Sequence, residues 1–105
     1  MIFMNDFKAE PSALKEETLA AVSRVIESGW YVLGKELKTF ERAWADFCGV
    51  KHAVGVGNGM DAIEITLRSL DIGPGDEVIT TPMTAFATIL AILRAGATPV
   101  LADIN

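Results

Sequence analysis

The chain is short of several things that small proteins use to build special chemistry. Its 105 residues include one cysteine, one histidine and one tyrosine. A single thiol, Cys48, excludes a disulfide framework and a multi-cysteine metal centre, and it fits a reducing, cytoplasmic setting. No apolar run approaches the roughly 20 residues that cross a bilayer, so no membrane segment is expected. The opening Met1-Ile2-Phe3-Met4-Asn5-Asp6 has no basic stretch leading into an apolar one, so no secretory leader is read there. Basic residues are also scarce: 9 Lys and Arg against 14 Asp and Glu leave a net charge of -5, which argues against a nucleic-acid surface. What the chain does have is apolar matter. At 50% hydrophobic residues it can bury a core, which excludes disorder.

Pro11-Ser12 opens a helical pattern with Ser12 as the expected N-cap, and Leu14, Ala21, Val22, Val25 and Ile26 form its apolar stripe up to Ser28-Gly29. Trp30-Tyr31-Val32-Leu33-Gly34 is an aromatic connector. A second helix is predicted over 35–48, burying Leu37, Phe40, Trp44 and Phe47 and ending at Gly49, with Cys48 as a small buried hydrophobe. After Gly49 the rhythm changes. Short apolar strands are expected at 53–56, 77–80 and 99–102. Helices over 60–70 (Ile63, Leu67 and Leu70 inward) and 84–95 separate them. Strand, helix, strand, helix, strand implies right-handed crossovers and a parallel sheet. The expected organisation is therefore α/β: an N-terminal helical segment at 1–49 followed by a βαβαβ segment at 50–105. Parallel sheets are normally covered on both faces, and three short strands make only the beginning of one.

In open α/β sheets ligands collect beyond the carboxyl ends of strands. The first such loop, Gly57-Asn58-Gly59-Met60-Asp61-Ala62, runs directly into a helix. Its glycines let backbone amides approach an anion, and the helix start offers unpaired N–H groups and a positive dipole end; a phosphate is the natural guest. A tight turn that needs Gly only for its dihedrals is the alternative. The same hexapeptide fits the dinucleotide fingerprint G-x-G-x-x-G/A. That fingerprint wants an acidic residue at the end of the second strand, where this chain has Thr80-Thr81, and Asp76 and Glu77 lie at the opposite end. In the second loop, Phe86 can stack on a planar ring or join the core, and Thr84 is read as a helix cap. His52 enters a strand at the wrong end of the sheet for catalysis. No metal site is expected.

Together these segments resemble the DegT/StrS family of pyridoxal-phosphate-dependent nucleotide-sugar aminotransferases. The matching stretches are Ser28-Gly29-Trp30 through Gly34, Phe40-Glu41, Phe47-Cys48-Gly49-Val50, Asn58 to Ile63, Gly73 to Ile79, and Ala95 to Val100. Their order and spacing cover the chain from about residue 12. The resemblance implies the aspartate aminotransferase-like fold and reaches only the N-terminal quarter to third of a family member. It implies pyridoxal 5'-phosphate as cofactor, with the phosphate on the backbone N–H groups of the Gly59-Met60 turn. Many relatives carry a hydroxyl near that turn, which Met60 cannot supply. It also implies an aromatic residue over the pyridine ring. In Thr84-Ala85-Phe86-Ala87-Thr88 the flanking threonines put Ala85 at that position, and Phe86, one residue later, is the candidate. Trp30 and Tyr31 correspond to the connector near the sugar-nucleotide site.

The partners implied are a nucleotide-linked keto-sugar and an amino-acid donor such as glutamate, in a homodimer. The family also needs a lysine joined to the cofactor and a carboxylate on the pyridine nitrogen. By resemblance both fall beyond Asn105. Lys8, Lys15, Lys35, Lys38 and Lys51 all precede the cofactor loops, and Asp103 is not the pyridine partner. The 105 residues alone are therefore expected to be inactive. A sugar dehydratase or a non-catalytic regulatory relative of the same fold, and a dinucleotide-binding domain, are the alternative readings.

Overall fold

The computed structural model describes Met4 and residues 11–104. The rest of the N-terminal stretch discussed above, with Lys8, lies outside the described residues. The chain divides into two compact units, 1–54 and 55–105.

The first unit holds two helices, α1 (Ser12–Ser28) and α2 (Lys35–Cys48). Proline fixes the approach to α1. Pro11 itself is the flanking residue (φ -57°, ψ 141°), and its carbonyl accepts from the N–H groups of Leu14 (3.1 Å) and Lys15 (3.3 Å). Ser12 lies inside the helix and caps nothing, so the expected cap shifts by one residue and no side chain closes this end. Gly49 ends α2 in a left-handed conformation (φ 68°). Its N–H reaches Asp46 O at 3.2 Å and that of Val50 reaches Ala45 O at 3.0 Å, the Schellman pattern.

The expected aromatic core of α2 is not buried. Phe40, Trp44 and Phe47 are 58%, 50% and 82% exposed, while Ala45 is the helix's buried residue. The three rings pack on one another instead, with centroids 5.9 Å and 5.6 Å apart. Helical spacing placed them on one face correctly, but spacing cannot supply a surface for that face to rest on. Cys48 is exposed for the same reason.

The second unit contains α3 (Gly59–Ser69), β1 (Glu77–Thr80), α4 (Phe86–Ala95) and β2 (Thr98–Leu101). The strands are parallel, with Glu77 opposite Thr98 and Thr80 opposite Leu101, and α4 makes the crossover between them. Leu67, Ile92, Ala95 and Ala97 form the core, with Ile63, Ile72 and Val78 packed against it. Leu70, expected inward, is 64% exposed because the helix has ended and the chain is already turning. Asp76 organises that turn: its carboxylate accepts from Gly73 N–H at 2.8 Å, and its own carbonyl accepts from Thr98 N–H at 2.9 Å, which starts the sheet. Gly96 is required twice over. Its φ is 92°, and a Cβ there would lie 3.1 Å from Pro74 Cδ.

The fold is α/β with a small parallel sheet, but one expected strand is not formed. The stretch 53–56 is not part of the sheet, and Val54 is 78% exposed. Among the described residues the sheet is β1 and β2 alone. An apolar run states what a strand would bury, and a strand exists only when a neighbour completes its hydrogen bonds. No helix among the described residues is long and apolar enough to cross a membrane.

Ile92 is 1% exposed and sits where α3, α4 and the sheet meet. Ile92→Ala is expected to lower the unfolding free energy by about 2–5 kcal/mol, and Leu93→Ala, on the half-exposed face, by far less. Urea denaturation followed by circular dichroism compares the two.

Candidate functional site

The start of α3 is built by two side chains that hold each other. Asn58, in extended conformation, is the N-cap; its Oδ1 accepts from Asp61 N–H at 2.9 Å, and its Nδ2 donates to Asp61 Oδ2, also at 2.9 Å. The first bond is that of a capping box; the second differs, because Asp61 holds the Asn58 side chain and not its backbone N–H. Gly57 gives it room, because a Cβ there would lie 3.0 Å from Asp61 Oδ2.

A helix leaves its first four N–H groups without intrahelical acceptors. Here the Ala62 N–H makes the first intrahelical bond, to the Asn58 carbonyl at 3.1 Å, and the Asp61 N–H goes to the Asn58 side chain. Gly59 and Met60 therefore retain open N–H groups at the positive end of the helix dipole. Apart from its own helix and neighbours, nothing lies within 4 Å of where a Gly59 Cβ would be. Two backbone donors at a helix start fit an anion the size of phosphate. Met60 adds no hydroxyl. The capping pair is a feature the sequence reading passed over, although Asn58 and Asp61, three apart before an apolar run, are its signal.

The second loop delivers Phe86 to the first position of α4, where it is 74% exposed. It is thus available to a ring and is not core. Thr84 does not cap α4. Ala85 occupies that place, and the Thr84 hydroxyl pairs with the Thr88 hydroxyl at 2.9 Å. Thr81 Oγ1 accepts from Met83 N–H at 3.1 Å and shapes the turn before it.

In the first unit, the connector between α1 and α2 is pinned by Trp30, whose Nε1 donates to Val32 O at 2.6 Å and whose N–H donates to Ser28 Oγ at 3.1 Å. Trp30 and Tyr31 are both about two-thirds exposed. A hollow of about 450 Å³ lies beside Trp30, lined also by Leu33, Lys35 and Lys38. Those two lysines were read only as part of a helix; the turn, with Leu33 at φ 53°, is what brings them next to the indole. His52 lies in a separate hollow of about 240 Å³ with Glu41, Asp46 and Lys51. Among the described residues no three His, Cys, Asp or Glu side chains gather as a metal ion would require.

A model of one protein family, the DegT/DnrJ/EryC1/StrS aminotransferases, matches residues 12–105. The chain belongs to that family. It is 49% identical over its whole length to a dTDP-3-amino-3,6-dideoxy-alpha-D-galactopyranose transaminase of Aneurinibacillus thermoaerophilus, and it spans 30% of that protein. To the dTDP-3-amino-3,4,6-trideoxy-alpha-D-glucose transaminase of Streptomyces venezuelae it is 53% identical over 90% of its length, spanning 25% of that relative. Among solved structures, S. venezuelae DesV superposes with a TM-score of 0.88 at 50% identity, over 95% of this chain and 27% of that one. Pyridoxal phosphate is the cofactor of this family. A PLP-form and a PMP-form have been solved for Spr1654 of Streptococcus pneumoniae, which is 37% identical over 83% of this chain and 22% of that one, with a TM-score of 0.78. The dinucleotide reading falls away here: the loop follows a stretch that is not a strand of the sheet, and the family is not a dehydrogenase family.

Asn58→Ala is expected to destabilise by about 1 kcal/mol and to speed hydrogen exchange in the first turn of α3. Asn58→Asp keeps the acceptor but sets two carboxylates against each other. Its deficit should shrink as pH falls through the carboxylate range, which denaturation at pH 7 and near pH 4 will read.

Proposed function

We propose that this chain is the N-terminal part of a pyridoxal-phosphate-dependent aminotransferase that moves an amino group from an amino acid, glutamate in the first instance, onto a keto-sugar carried by a nucleotide. The observation that carries the reading is the start of α3: two open N–H groups, Gly59 and Met60, held by the Asn58–Asp61 pair in a chain of this family. The substrate class is supported by the dTDP-sugar transaminases to which the chain is similar. The cofactor, when bound, serves as an electron sink at the carbon that gains or loses the amino group.

The tasks left to these residues are binding ones. Gly59 and Met60 hold the phosphate through their amides, and Asn58 keeps those amides aligned by fixing the helix start. Phe86, exposed at the first turn of α4, lies over the ring. Trp30 and Tyr31 meet the sugar nucleotide in a homodimer, an arrangement that fits an exposed connector pinned by its own backbone. The lone thiol of Cys48 supports a cytoplasmic setting. Residues 55–105 contain no lysine, so the covalent anchor is not among them.

A second reading has its own support. A Geobacillus stearothermophilus protein named as a pleiotropic regulatory protein is 44% identical over 97% of this chain, which spans 27% of it. A regulatory protein that keeps the phosphate turn would bind the cofactor and release no 2-oxoglutarate from glutamate. Assaying 2-oxoglutarate release with a dTDP-linked keto-sugar, in a protein carrying these residues and the following ones, separates the two.

Two further outcomes test the assignments on this chain. Gly59→Pro removes one open N–H at a position where proline suits a helix, and extended Asn58 before it tolerates a proline. The variant is expected to keep its helicity and to bind inorganic phosphate several-fold more weakly, as read by chemical-shift titration of Met60. The 105 residues mixed with pyridoxal phosphate, glutamate and a keto-sugar should release 2-oxoglutarate no faster than free pyridoxal phosphate does. A specific adduct reducible by borohydride would contradict this.

A further inference from the structure

The first turns of α3 and α4 carry the two halves of the proposed cofactor site, and one side chain in the second turn of α3 ties these helices together. Glu64, in the middle of α3, is only 12% exposed at its side chain. Its Oε2 lies 2.8 Å from Nε of Arg94, in the last turn of α4, and its Oε1 lies 3.0 Å from Nη2 of Arg68, in the last turn of α3. Arg68 Nε also donates to Oε1, at 3.0 Å. Arg68 Nη2 completes the circuit by donating to the carbonyl of Arg94, one of the terminal carbonyls that α4 leaves without an intrahelical donor. One carboxylate, two guanidiniums and a helix end thus form a closed network at the last turns of both helices.

The apolar contacts around Leu67, Ile92 and Ala95 hold the helices together without fixing their register, because such packing is non-directional. Charge-assisted bonds to both oxygens of one carboxylate do fix it. The two helices pack against each other, so sliding or rotation of one on the other moves Phe86 relative to Gly59 and Met60. We propose that Glu64 is a positioning residue that sets the spacing between the phosphate-binding turn of α3 and the ring-stacking residue of α4. The proposal rests on the cofactor reading above and adds a requirement to it. A ligand that uses both helices must sense Glu64, and a ligand that uses only the turn must not.

The test is a pair of chemical-shift titrations on the folded chain, one with inorganic phosphate and one with pyridoxal phosphate, following the Gly59 and Met60 amides and the Phe86 ring. In Glu64→Gln, which keeps the shape and removes the charge, pyridoxal phosphate is expected to bind about tenfold more weakly and to shift the Phe86 ring less, with phosphate affinity unchanged. Arg94→Gln breaks the same bridge from its half-exposed side and should reproduce the pattern, so a folding defect in the first variant does not end the test. Equal weakening of both ligands, or no change in either, overturns the positioning role. If the unaltered chain binds pyridoxal phosphate without moving the Phe86 ring, the two-helix site is wrong and the proposal falls with it. If the unaltered chain shifts neither amide with either ligand, the cofactor reading itself fails, and that result is distinct from the others.

Discussion

Ile92 is almost wholly withdrawn from water, and the second unit is arranged around that fact. Burying such a side chain contributes about 1.5–3 kcal/mol, and it does so only if α3, α4 and the sheet all arrive at one place. Leu67 comes from α3, Ala95 from α4 and Ala97 from the turn into β2, with Val78 of β1 packed against them. The alanines matter as much as the large residues. They let α4 lie close to its neighbours. The loops at the starts of α3 and α4 are carried by this core.

The candidate site is correspondingly economical. It needs no buried charge and no strained side chain at its centre. Two backbone amides, of Gly59 and Met60, are open because they precede the first intrahelical bond, while Asn58 takes the Asp61 N–H and is itself held by Asp61. The site is therefore a local consequence of helix capping, delivered to the right place by tertiary packing. The ion network of Glu64, Arg68 and Arg94 belongs to the second half of that statement, because it joins α3 to the last turn of α4.

Much of this was legible from residue order. The boundaries of α2 and β1 follow from Gly34, Gly49 and the turn at 71–76, whose glycines and aspartates have local conformational roles. Those roles act over a few residues and need no partner. Where the reading failed, a partner was involved. Ser12 and Thr84 are good capping residues by type, but Pro11 and Ala85 took the flanking places, because φ/ψ at a helix start depends on the incoming chain. Val54 and Val56 have the pattern of a strand and no ladder. Phe40, Trp44 and Phe47 have the pattern of a core face and are exposed.

By itself the sequence determined the helix faces, the stops at Gly29, Gly49 and Gly96, the parallel pairing implied by a strand–helix–strand order, and a glycine turn running straight into a helix at 57–61. It also carried the family, through six stretches in register, since these are local patterns of residue type and spacing. Tertiary structure alone decided which apolar faces are covered, which extended stretch becomes a strand, that Phe86 is exposed, and that Lys35 and Lys38 lie beside Trp30. The physical reason is the same in each case. Backbone preference and capping are settled within a turn or two of chain, whereas burial, sheet pairing and side-chain neighbourhood belong to two segments at once.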